Sequence, residues 1–206
     1  MKLAILGATG GTGRELVRQA LERGHEVVAL VRDPARADFD DHPRLRRVRV
    51  DAADARSLAG AVDAQTTLLS GLGIPKGGRP GVLAAGAQAA VAAGPARIIW
   101  LGAFGTGASS RAGGWLVRTL LAMFLGKELP DKVASDTTVL RAGGTVFHAG
   151  PLSMAPVSPR RRTVGLEGAP ARLFPASVSR ATVAAAMLDE AEAPRFAGQT
   201  AIPLQD

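Results

Sequence analysis

Apolar and polar positions fall into alternating blocks along the first hundred residues. Leu3-Ala4-Ile5-Leu6 is a short continuous apolar run, and after a glycine-rich stretch Leu16, Val17, Ala20 and Leu21 recur at helical spacing until Gly24. The first block predicts a buried strand and the second an amphipathic helix. Read the same way, the chain predicts strands over 2–6, 26–31, 45–50, 66–70 and 97–101, separated by helices over 12–23, 55–62 and 81–93. This alternation argues for a parallel sheet covered on both faces, with right-handed crossovers and a doubly wound strand order.

Beyond residue 102 the rhythm loosens. A glycine-rich loop over 102–114 leads to 115–125, whose apolar residues cover most of a helix circumference, so that this helix is either buried or the wall of an apolar pocket. A helix over 131–141 and a strand over 145–149 come next. A proline-rich hairpin region over 151–175, a helix over 180–190 with Ser179 as N-cap, and a strand over 200–203 complete the reading. One domain over 1–206 is expected, with no internal repeat.

The first strand, the glycines and the first helix form one unit. In Gly7-Ala8-Thr9-Gly10-Gly11-Thr12-Gly13, Gly7 lets the chain turn sharply, Gly10 and Gly11 let backbone approach a pyrophosphate, and Gly13 lets the helix pack close to the strand. The N–H groups of Gly11 and Thr12, with the turn at Thr9, then face phosphate oxygens. This is a dinucleotide-binding turn, and the carboxyl ends of the other strands supply the remaining contacts. After the second strand stand Arg32 and Arg36, where a carboxylate would bind ribose hydroxyls and a guanidinium instead suits a 2′-phosphate, so NADP(H) is the expected cofactor. Asp51 and Ala52 follow the third strand, at the adenine edge, although Asp51 could equally cap the next helix. Gly71, Leu72 and Gly73 after the fourth strand let backbone lie along the nicotinamide ribose. Gly102, after the fifth, completes the list.

Composition narrows the chemistry. The chain has no cysteine, and its three histidines, His25, His42 and His148, are scattered, so neither a thiol nucleophile nor a metal site is expected. No stretch has the length of a membrane span, and the N-terminus reads as a core strand rather than a signal peptide, which points to a cytoplasmic protein without a membrane partner. The net charge of +7 is spread over dispersed arginines. The clusters Arg160-Arg161-Arg162 and Arg44-Arg46-Arg47-Arg49 read as solvated faces, and with aromatics at 4% no nucleic-acid partner is expected.

The whole chain resembles the atypical short-chain dehydrogenase/reductase superfamily, specifically its NAD(P)H-binding proteins related to NmrA and to biliverdin reductase B, the flavin reductase. The resemblance rests on Ile5 to Gly13, on Val31-Arg32-Asp33-Pro34, on Asp51, on Asp131-Lys132 with Asp136 and Leu140-Arg141, and on Val178-Ser179-Arg180-Ala181-Thr182-Val183-Ala184. It implies an α/β, Rossmann-like doubly wound parallel sheet that binds NADP(H), with a small C-terminal substrate lobe over the nicotinamide.

The departures from that family bear on the reaction. Standard members protonate a carbonyl oxygen with a Tyr-x-x-x-Lys pair, and this chain contains no tyrosine. Leu101-Gly102-Ala103-Phe104 carries no hydroxyl where relatives often have one, and His148-Ala149-Gly150 stands where an Arg-Pro-Gly is common. The candidate catalytic residues are therefore His148, as a proton donor or else a hydrogen-bonded strand-end residue, and Lys132, as a ribose contact or else half of a surface pair with Asp136 four residues on. Trp100 and Trp115 are read as core and pocket-wall residues; Trp115, with Leu116 and Phe124, could lie against a planar substrate. Two functions follow. One is an NADPH-dependent oxidoreductase passing hydride to a small planar conjugated acceptor, a flavin or quinone, that needs little protonation by the protein. The other is a non-catalytic NADP-binding sensor that meets a protein partner, whereas nucleotide-sugar epimerase chemistry is weakened by the missing tyrosine.

Overall fold

The computed structural model describes residues 1–74, 80–105, 128–169 and 176–205. The helix expected over 115–125, with Trp115, Leu116 and Phe124, lies outside the described residues. Strands β1 (Lys2–Leu6), β2 (Glu26–Val31), β3 (Leu45–Arg49), β4 (Thr67–Ser70), β5 (Arg97–Ala103) and β6 (Thr145–Ala149) belong to one sheet with β10 (Thr200–Leu204) and β8 (Arg162–Gly165). Its order is β3-β2-β1-β4-β5-β6-β10-β8. Every neighbouring pair in it is parallel except β10 with β8. This is the doubly wound, Rossmann-like arrangement, and β1 and β4 meet where the strand order reverses.

Alternation along the strands divides the core between the two faces. Leu3 and Ile5 pack with Leu16 and Val17 of α1 (Gly11–Glu22) and with Val183 and Met187 of α5 (Arg180–Glu192). Ala4 and Leu6 point the other way, toward Leu58 of α2 (Ala55–Ala59), Ala87 of α3 (Val82–Ala92) and Val139 of α4 (Leu129–Arg141). Trp100, 1% exposed, is part of this second core. Helix α2 is shorter than expected because Gly60, a poor helix former, caps it. Ser179 is the N-cap of α5, its side chain accepting from the Thr182 N–H at 3.0 Å. Among the described residues no helix is long and apolar enough to cross a membrane.

Over 151–169, the described part of the proline-rich region 151–175, the chain does not form the hairpin that its composition suggested. Its two strands find separate partners: β7 (Leu152–Ser153) runs parallel to β9 (Val178–Ser179), whereas β8 pairs antiparallel with β10. Each completes a ladder set by distant chain, which local turn chemistry does not encode. Nor is the arginine cluster there wholly solvated, since Arg161 reaches Asp189 of α5 at 3.1 Å.

Helices α1 and α5 are clasped by polar groups. Gln19 donates to the Ala181 carbonyl at 2.9 Å, and Arg23 and His25 both reach Glu192. Burial raises the Glu192 pKa, but the His25 hydrogen bond and the Arg23 charge outweigh it and hold it below the usual carboxylate range. A depressed carboxylate stabilises the fold above its unfolded pKa, and that contribution is lost as pH falls through the folded one. Glu190, 1% exposed, accepts from Thr145 Oγ1, Arg97 Nη2 and the backbone N–H groups of Arg195 and Phe196. It ties the end of α5 to two strands. Glu190→Ala should lower the free energy of denaturant unfolding by about 3 kcal/mol, because it strands buried donors. Glu22→Ala, which removes only the exposed pair with Arg18, should change it by less than about 0.5 kcal/mol.

Candidate functional site

A cleft of roughly 1280 Å³ runs along the carboxyl ends of β1, β2, β4, β5 and β6. Its floor is the glycine turn. Gly7 has φ +73°, and a Cβ there would lie 2.9 Å from the Leu72 nitrogen. A Cβ on Gly13 would lie 2.1 Å from the Gly7 carbonyl oxygen, so α1 can sit this close to β1 only with glycine at that position. Gly10 closes the turn, its N–H donating to the Gly7 carbonyl at 2.9 Å. It is also the N-cap of α1, with no side-chain cap bond and no acidic residue in the first turn. Among the described residues the first N–H groups of the helix therefore meet neither a helical carbonyl nor a carboxylate, which is the electrostatic condition for an anion.

Of the expected cofactor contacts, Gly7, Thr9, Gly10, Gly11, Thr12, Arg32, Asp51, Ala52, Gly71, Leu72, Gly73, Gly102 and Lys132 all line this cleft. Gly13 acts behind the lining as the spacer between helix and strand. Arg36 does not line the cleft: it ends a 3₁₀ turn, Pro34–Arg36, capped by Asp33. Asp51 accepts from the Ala53 N–H at 3.0 Å, and the cap of α2 is Asp54 rather than Asp51.

At the far end the structure corrects one expected pairing. Lys132 and Asp136 both line the cleft, but Lys132 Nζ lies 3.8 Å from Glu128, one turn earlier in the chain. Asp136 Oδ2 instead lies within hydrogen-bond distance of His148 Nε2, at 3.0 Å, both groups being buried. Helical spacing allowed Lys132 and Asp136 to meet; the strand beneath competes for the carboxylate and wins. His148 does not line the cleft and meets its wall through Asp136. Gly102 has a second role here, since a Cβ on it would fall 2.8 Å from Asp136 Oδ1.

Three functional groups carried no assigned role at the level of sequence. Asp131 takes the N–H groups of Gly81, Leu83 and Ala84, capping α3 from another helix. Ser135 and Arg180 line the cleft. Arg180 had a signal, its place in the 178–184 segment. Asp131 could not be found locally, because the backbone that it caps is about fifty residues away in sequence. Among the described residues no group of three or more histidines and carboxylates could hold a metal ion.

Comparison with known proteins agrees with this geometry. A family model described as NAD(P)H-binding matches residues 7–194. An uncharacterized chloroplastic protein of Arabidopsis thaliana is 46% identical over 55 residues, 26% of this chain and 20% of that protein. The chain matches only 12% to 31% of the length of such curated relatives. Solved structures align nearly end to end. ChuY, an anaerobilin reductase of Escherichia coli O157:H7, is 19% identical with a TM-score of 0.76, covering 100% of this chain and 97% of its own. A short-chain dehydrogenase/reductase of Veillonella parvula, solved with NADP, is 18% identical with a TM-score of 0.77, covering 98% and 93%.

The glycines of the turn should separate by substitution. Gly13→Ala forces a methyl group into backbone and should destabilise the protein by about 3 kcal/mol. Gly10→Ala meets its nearest atom, the Gly7 oxygen, at 3.2 Å and should stay folded with an unfolding midpoint close to that of the wild type. Equal thermal shifts for the two would contradict this geometry.

Proposed function

The chain belongs to the NAD(P)H-binding family, and on that premise we propose that it is an NADPH-dependent reductase acting on a planar conjugated acceptor of flavin or quinone type. The observation that carries this reading is the wall at the far end of the cleft. It is built from Leu101, Gly102, Ala103, Ala149, Gly150 and Leu152, with Lys132, Ser135 and Asp136 along one side. The chain has no tyrosine to serve as an acid. Reduced nicotinamide, when bound, supplies a hydride.

The residues present fit that group. The N–H groups of Gly11 and Thr12 would take the pyrophosphate, Arg32 the 2′-phosphate, and the backbone at Gly71–Gly73 would pass along the nicotinamide ribose. The apolar wall would hold a flat ring and exclude water, so that the protein contributes chiefly proximity and desolvation. Lys132 would place a positive charge at the ribose end without a phenol to activate. The reductase activity in the name of one structural neighbour supports reduction as the reaction class.

The direct test is steady-state oxidation of NADPH against a panel of flavins and quinones. Saturable turnover with members of the panel is expected; tight NADPH binding with no turnover on any of them would overturn the reductase reading in favour of a sensor. Arg32 should set the choice of dinucleotide. Arg32→Ala should weaken NADPH by about 1.5–3 kcal/mol, the scale of hydrogen bonds to a charged group, and leave NADH almost unchanged by calorimetry. Equal weakening of both would remove Arg32 from the 2′-phosphate.

A further inference from the structure

We propose that Arg180 is a second cationic contact to the cofactor's pyrophosphate, delivered to the start of α1 by the C-terminal segment. This rests on the reading of the cleft as a dinucleotide site. Arg180 is the first residue of α5, yet its side chain folds back over the glycine turn instead of following the helix outward. A Cβ on Gly11 would lie 2.7 Å from both Cδ and Nε of Arg180. Gly11 thus leaves room for the guanidinium, which itself lines the cleft.

The electrostatics of this contact are incomplete within the protein. Nη1 donates to the carbonyls of Leu152 and Ser153 at 3.4 and 3.3 Å and touches Met154 Sδ at 3.2 Å. Those partners carry no negative charge, and Nη2 makes no hydrogen bond among the described residues. Arginines elsewhere around the same helix are neutralised: Arg23 by Asp189 and Glu192, Arg97 by Glu190, Arg161 by Asp189. Among the described residues no carboxylate pairs with Arg180. The guanidinium instead faces the positive end of α1, whose first turn has no acid. Two positive groups held together in this way are complementary to an anion lying between them. A pyrophosphate on the glycine turn is that anion, and a planar guanidinium with a free edge can bind its oxygens.

The arrangement also joins the cofactor to the C-terminal segment. The carbonyls that hold Arg180 belong to β7, which pairs with β9, immediately before α5. Arg32 reads the 2′-phosphate and should discriminate between dinucleotides; Arg180 reads what they share and should not.

The test measures NADPH, NADH and adenosine 2′-monophosphate by calorimetry on the wild type, Arg180→Met and Arg180→Lys, each checked by its unfolding midpoint without ligand. Arg180→Met should weaken NADPH and NADH by a similar factor, about ten- to a hundredfold, and leave adenosine 2′-monophosphate unchanged. Arg180→Lys, which keeps the charge, should recover part of that loss. Wild-type affinity for both dinucleotides in Arg180→Met would overturn the proposal. So would a parallel loss of adenosine 2′-monophosphate, which marks a loosened cleft rather than a lost contact. A wild-type protein that binds neither dinucleotide overturns the underlying cofactor reading instead.

Discussion

Helix α1 meets the end of β1 backbone to backbone, because Gly13 has no side chain to hold them apart from the Gly7 carbonyl. The rest of the site is placed from this contact. It brings the uncapped start of α1 level with the carboxyl edge of the sheet, where Gly71 packs against Gly13 and the β4 loop is drawn alongside. It also fixes the outer face of α1, on which α5 lies through Gln19 and Arg23, so the position of Arg180 over Gly11 follows from the seating of α1. A methyl group at residue 13 would move all of these together.

Charge is distributed in a complementary way. Three acids at or near the cleft are engaged by the protein itself: Asp131 caps α3, Asp136 binds His148, and Asp51 accepts from the Ala53 N–H. The cleft keeps Arg32, Lys132, Arg180 and the N-terminus of α1 along its length. An excess of +7 dispersed over a surface means little, but these cationic groups share one concave site, whose acids Asp51 and Asp136 are already hydrogen-bonded within the protein. A long ligand with separated negative charges matches that line better than a compact one.

The N-terminal half was legible because its strands, the arginine-rich β3 apart, are short apolar runs punctuated by glycine and by helices, so period and punctuation agree. The glycine turn was legible for the same reason: each glycine has its own steric cause. Pairings between distant segments were not. Two-residue strands such as β7 and β9 have no period to read, and the join of β8 to β10 depends on which edge the sheet leaves open. Asp136 shows the limit inside one helix, since spacing puts it near Lys132 but says nothing about a histidine on the strand below. Arg36 shows the converse, an arginine in the expected stretch of sequence that ends a proline-led turn and does not line the cleft.

We propose that the glycine turn and the cations around it form a dinucleotide site that prefers a 2′-phosphate. Calorimetric titration of the wild-type protein with NADPH and, separately, with NADH tests it most directly. One saturable site is expected for each, with NADPH bound at least about tenfold more tightly, the equivalent of roughly 1.4 kcal/mol. Saturable binding of neither, or NADH bound as tightly as NADPH, would contradict it.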